Sequence, residues 1–296
     1  MTTTAEKSGQ NNLGDRTVHR IGYGAMQLAG PHIMGPPSDR DGAIAVLRRA
    51  VELGVDHIDT SDYYGPHVTN EIIREALHPY PEGLTIVTKV GAERTPAGEW
   101  PEALTAEQLR QAVHDNLDHL GVDAMDVVNL RMPGFAEPVQ RSLAEPMETL
   151  AELQQQGLIR HIGVSNVTPQ MFAEAQGIAR VVCVQNHYNL VHRADDPLVD
   201  ALAREGIAYV PFFPLGGFTP IQSAALETVA RRLETTPMEV ALAWLLARSP
   251  NLVLIPGTKS IEHLEQNLES AARVLGPVEM AELDRIGGDG TLDPDL

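Results

Sequence analysis

The chain reads as a single (β/α)8 barrel, and three observations predict it. Short β-like runs alternate with helix-period runs from one end of the chain to the other, eight times in sequence. No Pro/Gly-rich linker divides the 296 residues. Polar side chains recur at the ends of successive strands, as they do at the active face of a barrel. Alternating strands and helices imply a parallel sheet, and eight units in a chain of this length fit a closed barrel better than an open doubly wound sheet.

Each unit has its own signals. Residues 1–16 are polar and are expected to form a loose tail, leaving 17–296 to the barrel. The first strand is expected over 19–28 and holds Gly22 and Gly24. A helix over 41–53 places Ile44, Leu47 and Val51 at helical spacing and stops at Gly54. A strand over 55–60, a helix near 68–78 and a strand over 84–90 follow. Thr105 caps the next helix, Gln108 completes a capping box, and Gly121 ends it. Strand 125–130, helix 142–156, strand 159–164, helix 168–177 and strand 181–185 continue the alternation. A helix from Pro197 to Gly206 leads to strand 207–212. The helical stretch 221–248 breaks at Thr236-Pro237, because proline suits the first turn of a new helix. Strand 252–255, helix 260–274 and a terminal helix over 278–286 complete the chain.

Composition excludes several classes. A net charge of −18 and a pI near 4.9 argue against nucleic acid and anionic membranes as partners. The single cysteine, Cys183, lies in an apolar run and reads as a buried core thiol. One cysteine forms no internal disulfide, the N-terminus lacks an apolar signal segment, and no apolar stretch is long enough to span a bilayer. A soluble cytoplasmic protein is expected. No metal ligand set is assigned, and a monomer is the simplest oligomeric expectation.

Residues 55–65, V-D-H-I-D-T-S-D-Y-Y-G, organise the site: a short strand ends in Asp59, and a turn then carries Tyr64. Alone, Asp59 capping a turn and Tyr64 packing at a strand end would explain them. The next strand, T-I-V-T-K-V-G, puts Lys89 where a buried strand should be apolar, and a buried lysine requires a partner. Asp59 is the natural one. An adjacent cation is expected to lower the Tyr64 pKa and make it a general acid/base. Arg131, Ser165, Asn166, Gln185, Phe212 and the Gly257-Thr258-Lys259 stretch fall at later strand ends.

The sequence resembles the aldo/keto reductase family over about residues 18–286. The matching stretches are D-T-S-D-Y-Y-G (59–65), T-K-V-G (88–91), I-G-V-S-N (162–166), V-Q-N-H-Y-N (184–189), F-F-P-L-G (212–216) and I-P-G-T-K-S-I-E-H-L-E-Q-N (255–267). The resemblance implies a barrel that binds NADPH/NADP+ and reduces a small-molecule aldehyde or ketone. Tyr64 would be the proton donor, with Lys89 tuning it and Asp59 holding Lys89. It implies that Ser165, Asn166 and Gln185 bind the nicotinamide carboxamide, that Phe212 stacks on the ring, and that Gly24, Met26, Leu215 and Gly217 line the cofactor's path. Gly257, Thr258, Lys259, His263 and Asn267 would hold its adenosine end. Lys259 and His263 beside a helix start favour a 2′-phosphate, hence NADPH over NADH.

Three departures stand out. Arg131 occupies the strand-four end where the family has a catalytic His; it stays charged and only donates. An alternative is that Arg131 is structural and pairs with Asp126. The loop 216–220 is short, so a more open cofactor groove is expected. The loops holding His32 and Trp100 are expected to shape the substrate pocket, with loop anchoring an equal reading for Trp100. The stretches around Arg131 and Phe212 resemble a bacterial branch that includes pyridoxal reductases, which makes pyridoxal a candidate substrate. A non-catalytic NADPH-binding sensor or subunit and a broad-range small-aldehyde reductase are the alternatives.

Overall fold

The computed structural model describes residues 4–134, 137–217 and 221–287. Its centre is a parallel sheet of seven strands paired in chain order: β3 (Tyr23–Gly24), β4 (His57–Asp59), β5 (Thr85–Val90), β6 (Met125–Arg131), β7 (Ile159–Ser165), β8 (Val181–Gln185) and β9 (Ala208–Tyr209). Segment 251–255 closes the barrel. It pairs with β9 through Tyr209 and Leu252, and with the first strand through Ile21 and Leu254. The Leu254 amide donates to the Arg20 carbonyl at 2.7 Å, and the Gly22 amide donates to the Leu254 carbonyl at 2.8 Å.

The helices form the outer layer: α1 (Arg40–Glu52), α2 (Val68–Leu77), α3 (Ala106–Leu120), α4 (Ala144–Gln155), α5 (Pro169–Ile178), α6 (Asp196–Glu205), α7 (Ala224–Arg232), α8 (Pro237–Arg248), α9 (Ile261–Glu269) and α10 (Pro277–Leu283). Their apolar stripes bury Leu47, Ile72, Val113, Leu150, Leu202 and Leu268 against the sheet. The expected capping box of Thr105 and Gln108 is present, and Gly121 ends α3 in a left-handed conformation. Thr236 caps α8 with Pro237 in its first turn. Among the described residues no helix is long and apolar enough to cross a membrane.

The structure corrects three expectations. The loose tail expected over 1–16 is not what residues 4–16 form, and residues 1–3 lie outside the described residues. Ala5–Ser8 form a 3-10 turn, and β1 (Gln10–Leu13) pairs antiparallel with β2 (Arg16–His19). The two-residue turn Gly14-Asp15, with Gly14 at φ +71°, joins them. This hairpin closes the N-terminal mouth: Leu13 and Val18 are fully buried among Val87, Val127, Cys183 and Val253. Arg16 binds Asp126 at the start of β6 at 2.6 Å, and the His19 amide donates to Asp56 just before β4. The first strand is shorter than 19–28, because the chain leaves the sheet at a 3-10 turn, Ala25–Leu28. The helix expected over 260–274 stops at Glu269 and tightens into Ser270–Ala272. Of the short loop after β9, residues 218–220 lie outside the described residues.

Candidate active site

Neighbouring strands deliver the polar residues to one mouth. Asp59 ends β4 and Lys89 lies near the end of β5; both are buried, at 3% and 4% exposure. The Lys89 ammonium donates to Asp59 Oδ1 at 2.5 Å and to the Thr60 carbonyl at 2.9 Å. Gln185, at the end of β8, donates from Nε2 to Asp59 Oδ2 at 2.8 Å. Both carboxylate oxygens are therefore engaged, as a buried ion pair requires. Lys89 Nζ lies 5.3 Å from the centre of the Tyr64 ring.

Tyr64 borders a cavity of about 740 Å³, together with Met26, Lys89, Arg131, Ser165, Gln185 and Phe212. His32 and Trp100 line the same cavity, so Trp100 is both wall and anchor. Its ring packs edge-on to Tyr63 at 5.3 Å, and the Arg94 guanidinium lies 4.1 Å above it. Arg94 also donates to the His32 carbonyl and reaches Met34 Sδ at 3.1 Å, joining the loops after the first and third barrel strands across the mouth. Sequence reasoning named Trp100 and missed Arg94 and Tyr63. The signal available for Arg94 was a lone cation in the same strand-end loop.

The Tyr64 pKa runs opposite to expectation. Burial raises it, and the Asp59 charge raises it further, against a smaller lowering by Arg131. Asp59 neutralises the Lys89 charge at close range, so Tyr64 feels a dipole in place of a bare cation. Its phenol stays protonated at neutral pH.

Arg131 ends β6. It donates to the Met132 carbonyl at 2.9 Å and to the Gly134 carbonyl at 2.9 Å, and its guanidinium lies 5.6 Å from the Phe212 ring centre. It does not pair with Asp126, which is held by Arg16 at the far end of the strand.

Among the described residues, three buried polar atoms at the strand ends have no partner: Ser165 Oγ, Asn166 Oδ1 and Gln185 Oε1. Buried polar atoms are rarely left unpaired. Two amide oxygens that accept and one hydroxyl that can donate match what a ligand carboxamide needs. Asn166 adopts φ +59°, and its Nδ2 donates to the Pro133 carbonyl at 2.7 Å. Phe212 is backed by His187, whose ring lies nearly parallel at 5.6 Å, and His192 stacks behind His187 at 4.0 Å.

The other residues that the resemblance assigns to the cofactor gather elsewhere. Gly24 and Gly257 are explained by packing: a Cβ on Gly257 would meet the Gly24 carbonyl at 2.7 Å. The Tyr23 hydroxyl donates to the Thr258 carbonyl at 2.5 Å, tying this segment to the first strand. Ser260 caps α9, leaving Lys259 and His263 exposed at its start while Thr258 and Asn267 are buried. Leu215 packs against the core, and Gly217, at φ +75°, lies against the Phe213 ring. Neither lines the cavity.

The His187 stack has a consequence in acid. Burial, and then the neighbouring His192, lower its pKa to about 4 from an ordinary 6.5. The unfolded chain takes up a proton below about 6.5 while the folded chain does not, so stability is lost as pH falls through that window toward about 4. Thermal melting from pH 7 to about pH 4.5 should show a smaller acid loss in His187→Phe than in the parent. Parallel pH profiles of the two proteins would contradict this.

The sequence profile described as "Aldo/keto reductase family" matches residues 20–287. Pyridoxine 4-dehydrogenase of Escherichia coli (strain K12) is 60% identical over 276 residues, covering 93% of this chain and 96% of that protein. An uncharacterized oxidoreductase of Schizosaccharomyces pombe is 38% identical, covering 96% and 91%. A thermostable aldo-keto reductase crystallised with the inhibitor epalrestat superposes with a TM-score of 0.80 at 31% identity, covering 94% of this chain and 99% of that one. An aldo-keto reductase of Klebsiella pneumoniae crystallised with NADPH shares the fold, with a TM-score of 0.76 at 24% identity, covering 92% and 93%. By sequence, fold and strand-end chemistry, this chain belongs to the aldo/keto reductase family and is an oxidoreductase acting on carbonyl groups.

Proposed function

We propose that this protein reduces the aldehyde of pyridoxal to the alcohol with NADPH, Tyr64 giving the proton. The observation that carries the reading is a single cavity bordered by Tyr64, the Lys89–Asp59 pair's ammonium, and the strand-end groups Ser165 and Gln185 with unpartnered oxygens. The 60% identity to a pyridoxine 4-dehydrogenase supports the substrate. When bound, NADPH would supply the hydride for the carbonyl carbon. Ser165, Asn166 and Gln185 would hold the nicotinamide carboxamide and so fix which face of the ring meets the substrate. Phe212 offers a stacking face.

Tyr64 enters as a neutral phenol, because burial and Asp59 keep its proton on. It donates to the carbonyl oxygen as that oxygen gains charge, and the resulting phenolate is stabilised by Lys89 and Arg131. Asp59 and Gln185 position Lys89 for this. Met26 borders the cavity, Gly24, Leu215 and Gly217 are assigned to the cofactor's path beyond it, and Thr258 and Asn267 would steady its adenosine end. Lys259 and His263 meet the 2′-phosphate at the start of α9, where backbone N–H groups also favour an anion. Lys259→Ala should raise the Michaelis constant for NADPH about tenfold and leave that for NADH nearly unchanged. An equal change for both cofactors would remove Lys259 from the phosphate site.

Arg131 is assigned to the phenolic oxygen that neighbours the pyridoxal aldehyde. Its guanidinium borders the same cavity as Tyr64 and carries a fixed positive charge that an anionic phenolic oxygen would meet. The test compares pyridoxal with benzaldehyde. Arg131→Ala should lose about ten- to a hundredfold in kcat/KM for pyridoxal and far less for benzaldehyde, with Arg131→His in between. Equal losses on both substrates would contradict the assignment. Turnover of benzaldehyde alone by the parent would keep the reductase chemistry and discard pyridoxal.

A further inference from the structure

We propose that Asp62, His67 and His119 form a binding site for one divalent transition-metal ion of the zinc class, beside the loop that carries Tyr64. The proposal does not depend on the identity of the carbonyl substrate. The three residues come from different elements: Asp62 from the loop after β4, His67 from the N-cap of α2, and His119 from the last turn of α3. His67 Nδ1 lies 2.7 Å from Asp62 Oδ2, and His119 Nδ1 lies 2.9 Å from Asp62 Oδ1. One ligand atom from each residue lies within 4.8 Å of the other two.

Two imidazoles and a carboxylate are a donor set for zinc-class ions, and a water would complete a tetrahedron. Tetrahedral ligands about 2.1 Å from an ion are about 3.4 Å apart. With Asp62 bound through one oxygen, the N-to-O separation to that oxygen would lengthen by roughly half an ångström, and the other imidazole would shift toward the same oxygen. The rings now stack at 4.3 Å with a 34° tilt, so one must turn for both lone pairs to converge. The His67 side chain is 47% exposed and free to turn, while the Asp62 side chain is only 10% exposed and stays fixed.

Surrounding groups fit this use. Asn70 Nδ2 donates to Asp62 Oδ1 at 3.0 Å, and Asn70 Oδ1 accepts from the Thr60 hydroxyl at 2.8 Å. A hydrogen-bonded carboxylate of this kind is what orients metal ligands. A surface cleft reaches His119, and its acidic lining of Glu71, Glu75 and Asp118 outweighs the one cation there, Arg74. Asp62 precedes Tyr64 by two residues, and its carbonyl accepts the His67 amide at 2.7 Å. An ion held here would pin the 62–67 loop at both ends.

The test titrates Zn²⁺ into the tag-free, chelator-treated full chain by calorimetry, with Co²⁺ absorption reporting coordination. One saturable ion per chain is expected, with a raised melting temperature and the visible bands of four-coordinate Co²⁺. His67→Asn and His119→Gln should each weaken Zn²⁺ binding at least about tenfold. His114→Gln, an exposed histidine on the same α3, should bind like the parent. Asn suits the left-handed backbone of His67, at φ +66°, so His67→Asn decides the matter even if His119→Gln folds poorly. No saturable binding, or equal binding by the parent and His67→Asn, would overturn the proposal.

Discussion

Tyr64→Phe should abolish most carbonyl reduction and leave the protein folded and able to bind NADPH. Among the described residues the Tyr64 hydroxyl makes no hydrogen bond with the protein, so its removal leaves no partner unpaired. The ring, which packs edge-on to Tyr63 at 5.4 Å, is retained. What disappears is the proton that must reach the carbonyl oxygen. Loss of a positioned acid costs about 10²- to 10⁴-fold in kcat. Single-turnover reduction followed by NADPH absorbance measures the loss, and fluorescence titration measures cofactor binding. A variant that keeps kcat within a few-fold of the parent would move the acid elsewhere.

The second large effect is expected at Lys89. Lys89→Met removes the ammonium and leaves Asp59 buried with, among the described residues, only Gln185 to satisfy it. Breaking a buried pair from one side costs about 3–5 kcal/mol, because the remaining charge has no counterpart. Denaturant unfolding should show that loss together with a fall in kcat. Adding Asp59→Asn to Lys89→Met should restore part of the stability and none of the activity, since the stranded charge is gone while the tuning cation stays absent. A double variant less stable than the sum of the singles would mean the pair is not the coupled unit described above.

The two variants fail for different physical reasons, and the sequence exposed those reasons unequally. Lys89 was legible because a charged residue in the run T-I-V-T-K-V demands a partner, and Asp59 ends the neighbouring strand. The barrel was legible because each strand is a short apolar run punctuated by glycine or a helix cap. The N-terminal hairpin was not, because only Leu13 and Val18 among its residues turn inward and the remainder is polar. Its one local signal was Gly14-Asp15, a hairpin turn pair.

The Tyr64 environment was misread for another reason. Lys89 is close, but Asp59 cancels it, and the phenol's burial outweighs what remains. That balance belongs to three-dimensional packing and cannot be read from spacing. Arg94 illustrates the same gap: its contacts with His32, Met34 and Trp100 depend on where two loops meet. Asp62, His67 and His119 were invisible as a group because 52 residues separate the two histidines, counting from 67 to 119, and only the packing of α2 on α3 brings them together.

The most direct measurement is single-turnover reduction of pyridoxal by NADPH carrying deuterium on one face of C4, in the parent and in Tyr64→Phe. Transfer from a single face in the parent, with both turnover and label transfer lost in Tyr64→Phe, is the expected result. It would join the carboxamide contacts of Ser165, Asn166 and Gln185 to the proton from Tyr64 in one reaction. Label transfer from both faces, or undiminished transfer in Tyr64→Phe, would contradict the account.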